Sequence, residues 1–247
     1  MSYCFVIPNY NHTNGFPELV AHLAQQGRPI IIINDASDEL TSQTIMGVAK
    51  QQPLVQVLTH EFNQGKGGAV QTGLLYAHDQ GYSHAIQVDA DGQHDLYDID
   101  RLIQVSQQHP DALVSGAPIY DDSIPKLRYF ARYITHFWVT IETFSFQLKD
   151  TMCGFRVYPL KACHALFNRV SLGKRMDFDI EVMVRLYWQG VDCRFLPTKV
   201  IYPEDGISHF NALDDNLRIS CMHTRLCLGG LIRLPKLLTR NVKRWFA

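Results

Sequence analysis

A chain of 247 residues that is 46% apolar and 19% charged holds enough apolar material for one large α/β domain, which excludes a disordered chain. Its net charge of −1 hides an asymmetry: from residue 216 onward there are seven Lys or Arg and no acidic residue, leaving sixteen basic against twenty-four acidic residues before it. The six cysteines show no Cys-x-x-Cys spacing, so neither a zinc knuckle nor a disulfide framework is expected, and reduced thiols in a cytoplasmic protein with no nucleic-acid partner fit the composition.

Residues 3–7 read as a short apolar first strand. No basic start or long apolar stretch precedes Pro8, so a signal peptide and export are not expected. Pro8-Asn9-Tyr10-Asn11 stops the strand, and a helical pattern follows with Leu19, Val20, Leu23 and Ala24 on one face, closing at Gly27. Residues 29–33 form a β-branched run suited to a strand covered on both faces. Asn34-Asp35-Ala36-Ser37 ends it, a polar helix runs to about residue 52, and residues 54–58 make a third strand. Asn63-Gln64-Gly65-Lys66-Gly67-Gly68 then opens a helix carrying Ala69, Val70, Leu74 and Leu75. Residues 84–88 are the fourth strand, 96–106 a helix, and 112–115 the fifth strand.

Strands alternating with helices at this spacing imply a mostly parallel sheet with right-handed crossovers. In such sheets ligands gather outside the carboxyl ends of the strands. Pro8 to Asn11, Asn34 to Ser37, Asn63 to Gly68 and Asp89-Ala90-Asp91-Gly92-Gln93 all fall at those ends, so they converge on one crevice. Two carboxylates one residue apart at a strand end, Asp89 and Asp91, suit a divalent cation. The loop around Gly65 matches neither the dinucleotide fingerprint nor the Gly-x-x-x-x-Gly-Lys-Ser/Thr phosphate loop. Glycines and a Lys at a helix N-terminus nevertheless suit a phosphate-bearing ligand.

Beyond residue 116 the alternation fades. Residues 125–148 are aromatic and helical in propensity, with Arg128 and Arg132 spaced i,i+4. Helices are expected at 160–167 and 177–188, and short strands at 193–196 and 199–202. On the second helix Asp177 and Glu181 share a face while Asp179 points elsewhere.

Ile7-Pro8-Asn9-Tyr10-Asn11, Ile33-Asn34-Asp35-Ala36-Ser37, Asn63-Gln64-Gly65-Lys66-Gly67, Asp89-Ala90-Asp91 and Cys153-Gly154-Phe155-Arg156, in that order, resemble the motifs of family 2 glycosyltransferases. They are most similar to those of the polyprenyl-phosphate sugar synthases, such as dolichyl-phosphate mannose or glucose synthases. The resemblance spans residues 3 to about 210. It implies an α/β GT-A (nucleotide-diphospho-sugar transferase) fold over residues 1–210, with a mostly parallel central sheet and flanking helices, and a basic amphipathic C-terminal helical arm over 211–247.

It also implies an inverting, metal-dependent hexosyltransferase that moves a sugar from a UDP- or GDP-linked donor to a lipid-linked or lipid-like acceptor. Donor contacts fall on Pro8, Asn9, Tyr10, Asn11, Asp35, Gly65, Lys66, Asp89 and Ala90. Mg²⁺ or Mn²⁺ falls to Asp89, Asp91 and Gln93, where it would act as Lewis acid and template for the leaving diphosphate. Asp91, Asp179 and Glu181 are the catalytic candidates, the last two from Phe178-Asp179-Ile180-Glu181. Arg128, Arg132, Arg156 and His209 are the acceptor candidates, because a phosphate acceptor arrives anionic and needs cations. Asn34 and Ala36 depart from the Asp-Asp-Gly-Ser usual at the second strand, which leaves Asp35 to carry the base contacts.

The C-terminal arm interleaves Leu217, Cys221, Leu228, Leu231 and Leu234 with Arg and Lys and carries Trp245-Phe246. That pattern suits a helix lying on an anionic membrane surface, placing the protein at the inner face of the cytoplasmic membrane. No apolar run reaches the roughly 18 residues of a membrane span. Two alternatives stand beside this reading: a sugar-phosphate nucleotidyltransferase, which the absence of an N-terminal Gly-rich loop with Arg disfavours, and a non-catalytic nucleotide-sugar-binding protein, which the acidic cluster disfavours.

Overall fold

The four consecutive isoleucines of β2 (Ile30–Asn34) are buried, as a strand between two helical layers requires. Around it, the computed structural model describes residues 1–119, 126–200 and 211–245, with the side chains of 126–129, 131, 212 and 243–245 set aside. β1 (Tyr3–Asn9) pairs in parallel with β2 and with β4 (His84–Gln87), and β2 pairs in parallel with β3 (Val55–Thr59). The connecting helices are α1 (Phe16–Ala24), α2 (Glu39–Gln51) and α3 (Lys66–Asp79). A 3₁₀ turn (Leu96–Asp98) and α4 (Ile99–Gln108) lead to β5 (Leu113–Ile119).

The sheet has seven strands in the order β3-β2-β1-β4-β6-β5-β7. Strand β6 (Arg156–Pro159) runs antiparallel to both β4 and β5, with Gln87 opposite Arg156. Sequence patterning missed it, because four residues between a glycine-rich turn and a helix show no period. β7 (Cys193–Lys199) is one strand where two were expected: β5 offers it partners from Leu113 to Ile119, and Pro197 is accommodated because β7 lies at the sheet edge. Val200 forms an isolated bridge to His94, and the remainder of the expected second strand lies outside the described residues.

α1, α2 and α4 cover one face through Phe16, Leu23, Ile45, Val48, Ile99 and Leu102. The other face is covered by α3, α6 (Leu160–Phe167) and α7 (Phe178–Gln189), and beyond them by α5 (Lys126–Thr143), α8 (Ala212–Ile232) and α9 (Leu234–Trp245). α5 ends five residues earlier than expected, where Phe144 turns to a φ of 51°. The C-terminal pair packs on the body: Met222, Leu226 and Leu237 are buried, the Trp188 indole donates to the Glu142 carbonyl, and the Arg240 guanidinium stacks on Tyr187. Between α5 and α8, Glu142 Oε1 lies 2.6 Å from His223 Nδ1; burial pushes the Glu142 carboxyl up against the opposing pull of His223.

Gly73 lets α3 approach the sheet, because a Cβ there would lie 2.5 Å from Val6 Cγ1 and 2.7 Å from Ile33 Cδ1. Gly73→Ala is expected to lower the urea midpoint at unchanged m-value by about 1–3 kcal/mol of stability, despite the gain of about 1 kcal/mol in helix propensity.

Candidate active site

Asp89 follows β4 by two residues, and continuing the antiparallel register sets Gly154 opposite it. The contact is tight: a Cβ on Gly154 would lie 2.6 Å from Asp89 Oδ2, 2.7 Å from Gln87 Nε2 and 2.8 Å from Lys66 Nζ. A larger residue at 154 would have to push these side-chain ends aside. Asp89 Oδ2 accepts from Lys66 Nζ at 2.8 Å and lies 3.4 Å from His94 Nε2, while Oδ1 accepts from Gln87 Nε2 at 3.0 Å. Gln87 is held in turn by the Tyr158 hydroxyl, which donates to Oε1 at 3.0 Å. The His94 ring stacks on Phe155 with centroids 5.0 Å apart.

Lys66 is the first residue of α3, and its ammonium also meets Asp179 Oδ2 at 3.1 Å. Burial acts to lower its pKa, but the Asp179 and Asp89 carboxylates outweigh it and hold the ammonium above the ordinary lysine range. Burial likewise acts to raise Asp89, and Lys66, with His94 behind it, holds that carboxyl far below the usual range.

The glycine loop before α3 already has an anion. Asp35, 1% exposed, accepts from the backbone N–H groups of Gln64 and Gly65 at 2.8 Å each and lies 2.7 Å from His60 Nδ1. The Asp35 carboxylate, expected to carry base contacts, is buried here and anchors the loop. Asn9 and Asn11 tie the neighbouring turn, Asn9 through both backbone groups of His12 and Asn11 Oδ1 through the Asp38 N–H. Pro8 and Tyr10 are half-buried at the same strand end. Ala36 takes a φ of 55°, the left-handed conformation that explains why glycine is usual there.

Asp91 and Gln93 line a cavity of about 110 Å³ together with Asp89, His94, Arg132 and Gly154, and Asp91 Oδ1 accepts from the Gln93 N–H at 3.1 Å. Ala90, between the two carboxylates, is buried. The oxygen donors of Asp89, Asp91 and Gln93 suit a hard divalent cation, and the His94 Nδ1, buried without a hydrogen-bond partner, marks polar capacity unused beside them. Among the described residues, the cluster of three His, Cys, Asp or Glu side chains with all ligand atoms within 4.8 Å of one another is His78, Asp79 and His164, at the far end of α3 from Lys66.

Pro118 and Arg132 also wall a second cavity of about 590 Å³, bounded by Tyr133, His136 and Thr140 of α5 and by Leu148 and Lys149. The Arg132 fork donates to Asp150 from Nε at 2.6 Å and Nη2 at 2.8 Å, and Asp150 accepts further bonds from the N–H groups of Met152 and Cys153. Burial pushes the His136 imidazole below its ordinary value.

Glu181 is 0% exposed and lines neither cavity: Oε2 accepts from the Gly173 N–H and Oε1 from Arg185. Asp179 is the carboxylate that faces the Asp89 cluster. Arg156 is 0% exposed and donates to the carbonyls of Asp179 and Thr151 at 2.7 Å each; it bonds the loop to α7 and lines neither cavity. The Arg128 side chain and His209 lie outside the described residues. Gln87, His94 and Tyr158 were missed; His94 follows directly on the acidic motif, which was its one signal.

The sequence profile of the family described as Glycosyl transferase family 2 matches residues 4–174. A dolichyl-phosphate beta-glucosyltransferase of Trichomonas vaginalis is 28% identical over 200 residues, covering 73% of this chain and 60% of that protein, so the chain spans less than two thirds of that relative's length. Among solved structures, TarS 1-349 of S. aureus in complex with UDP superposes with a TM-score of 0.63 at 14% identity, covering 100% of this chain and 72% of that one. The mannosyltransferase PcManGT of Pyrobaculum calidifontis, in complex with GDP-Man and Mn²⁺, gives 0.59 at 14% identity, covering 96% and 73%.

Burial acts to raise the Asp150 carboxyl, but its bonds from Arg132 hold it below the ordinary value. A carboxyl depressed in the folded state contributes stability above its unfolded pKa of about 3.9 and loses it as the pH falls further. Asp150→Asn is expected to be less stable than the natural chain at neutral pH, with the gap in urea midpoint narrowing as the pH drops from about 5 to 2.

Proposed function

The chain belongs to glycosyltransferase family 2 and has the GT-A fold, and on that footing we propose that it is an inverting, metal-dependent transferase moving a sugar from a nucleotide-diphosphate donor to a lipid-linked phosphate. The observation that carries this reading is the cavity at the end of β4, which Asp89, Asp91 and Gln93 line, with Lys66 bonded to Asp89, and which shares the Arg132 wall with the larger cavity along α5. A donor diphosphate fits the first and an acceptor the second. The similarity to dolichyl-phosphate beta-glucosyltransferases supports a lipid phosphate as that acceptor, and the GDP-Man and Mn²⁺ held by a structural neighbour support the donor and ion classes.

Asp89, Asp91 and Gln93 would hold Mg²⁺ or Mn²⁺, which supplies Lewis-acid neutralisation of the leaving diphosphate. Lys66 adds a second positive charge on the same side. An acceptor phosphate oxygen attacks the anomeric carbon as the bond to the diphosphate oxygen breaks, so one displacement inverts the configuration and releases a nucleoside diphosphate. The acceptor is already anionic and no carboxylate needs to take its proton, in keeping with Glu181 being sealed away and Asp179 engaged with Lys66. Arg132, kept rigid by Asp150, presents the guanidinium at the junction of the two cavities.

Among the described residues no helix is long and apolar enough to cross a membrane. Phe130, Ile134, Phe137 and Trp138 of α5 and Leu217 and Leu228 of α8 are exposed, and Arg218 and Arg225 lie on α8 with them. We propose that this surface rests on an anionic membrane face, giving the acceptor cavity access to lipid.

Asp91→Ala is expected to abolish sugar transfer to a polyprenyl phosphate, measured with UDP- and GDP-linked donors and Mn²⁺; full activity would sink the mechanism. Arg132→Ala should raise KM for the acceptor with the donor KM little changed. Sedimentation with phosphatidylglycerol vesicles should carry the protein down, less so at high salt and after Phe137→Ser with Leu228→Ser; equal binding to neutral vesicles would remove the electrostatic part.

A further inference from the structure

Asp89 has three side-chain partners before any ion arrives. Lys66 and His94 approach one oxygen and Gln87 the other, so a metal ion reaching Oδ2 meets the Lys66 ammonium already on it. Of the three, only Lys66 carries a fixed charge, and it sits where a second cation is least tolerable. The turn into β6 passes close to the ammonium, since a Cβ added at Gly154 would lie 2.8 Å from Nζ. The Lys66 backbone is fixed: Gly65 N–H is held by Asp35, and Gly68 N–H donates to the Lys174 carbonyl at 2.9 Å. What remains is rotation of the stem, with Asp179 tethering the ammonium at 3.1 Å on the other side.

We propose that Lys66 occupies the metal's place on Asp89 in the empty enzyme and yields it only when a donor diphosphate arrives, so that cation and donor binding are coupled through this one side chain. The inference rests on the metal reading proposed above. A divalent ion entering alone faces the Lys66 ammonium across one shared carboxylate, at a separation where like charges repel strongly. A diphosphate brings the missing negative charge: Lys66 turns to its oxygens while staying beside Asp179, and Asp89 is released to the ion. Coupling of this kind is reciprocal, so the ion strengthens nucleotide binding by the factor by which the nucleotide strengthens ion binding.

Mn²⁺ binding to the full chain, followed by the loss of the free-ion signal in electron paramagnetic resonance, tests this without any turnover. For the natural chain, UDP or GDP is expected to tighten Mn²⁺ binding by about tenfold or more. Lys66→Met is expected to bind Mn²⁺ alone about tenfold more tightly than the natural chain, with the nucleotide-induced gain largely lost. Lys66→Gln, which keeps a hydrogen-bond donor between Asp89 and Asp179, gives the same readout should the methionine variant not fold. The inference is overturned if the Lys66 variants bind Mn²⁺ no more tightly than the natural chain, or if the natural chain binds it equally with and without nucleotide. If no form binds Mn²⁺ even with UDP or GDP present, the metal reading itself falls; if binding occurs but Asp91→Asn leaves it intact, the ion sits elsewhere and both fall.

Discussion

The position of β6 governs the site. A parallel sheet carries its ligand groups at one edge, but β6 enters that edge from outside and runs back between β4 and β5. Its register sets Arg156 against Gln87, and the two residues ahead of it bring the Gly154 backbone onto Asp89, Gln87 and Lys66. The acidic group is thereby closed on three sides, by the β4 strand end, the N-terminus of α3 and the turn into β6. Each wall contributes hydrogen-bonding groups or a close backbone, and none leaves room for a larger residue at position 154.

The buried charges follow from that closure. Bringing Asp89 and Asp179 together in a poorly hydrated pocket is unfavourable unless cations accompany them. Lys66 sits between the two carboxylates, and Arg156, 3.9 Å from Asp179 Oδ1, lies on the far side. Arg156 is thus part of the support of the cluster: its other bonds run to main-chain carbonyls, where removing a guanidinium would leave buried acceptors unmatched. The same economy operates at the glycine loop. Backbone donors that resemble a phosphate site are satisfied by Asp35, so the protein stabilises the loop with its own carboxylate.

Much of the first half of the fold was legible because βαβ units write themselves in local patterns. The isoleucine run of β2 and the apolar faces of α1 and α3 have the periods of a doubly covered strand and its helices, and the polar strand ends converge wherever the sheet is parallel. β6 was not legible, since four residues carry no period and their direction is set by the distant partners β4 and β5. Helical spacing correctly separated Asp179 from Glu181, but which of the two faces the cavity depends on how α7 rolls against the sheet, and that is a tertiary matter. The surroundings of Arg156 and Asp35 were not legible for one shared reason: charge type is visible in a sequence, whereas full burial with internal partners is not. His209 and the Arg128 side chain lie outside the described residues.

Helix α5 joins the chemistry to the surface. Its residues sort onto three faces: Thr135, Val139 and Glu142 are buried toward α7 and α8, Arg132, His136 and Thr140 line the larger cavity, and Phe130, Ile134 and Phe137 are exposed. A helix with only a core face and a water face would have no need of a third, aromatic one. On the proposed membrane reading the arrangement has a direct consequence: the exposed face fixes the depth of the helix in the lipid surface, and the cavity face, less than half a helical turn around, then opens at the level of the headgroups. A lipid phosphate entering there meets Arg132 at the boundary of the two cavities, so an amphipathic acceptor can present its charged end to the donor while its chain stays in the bilayer.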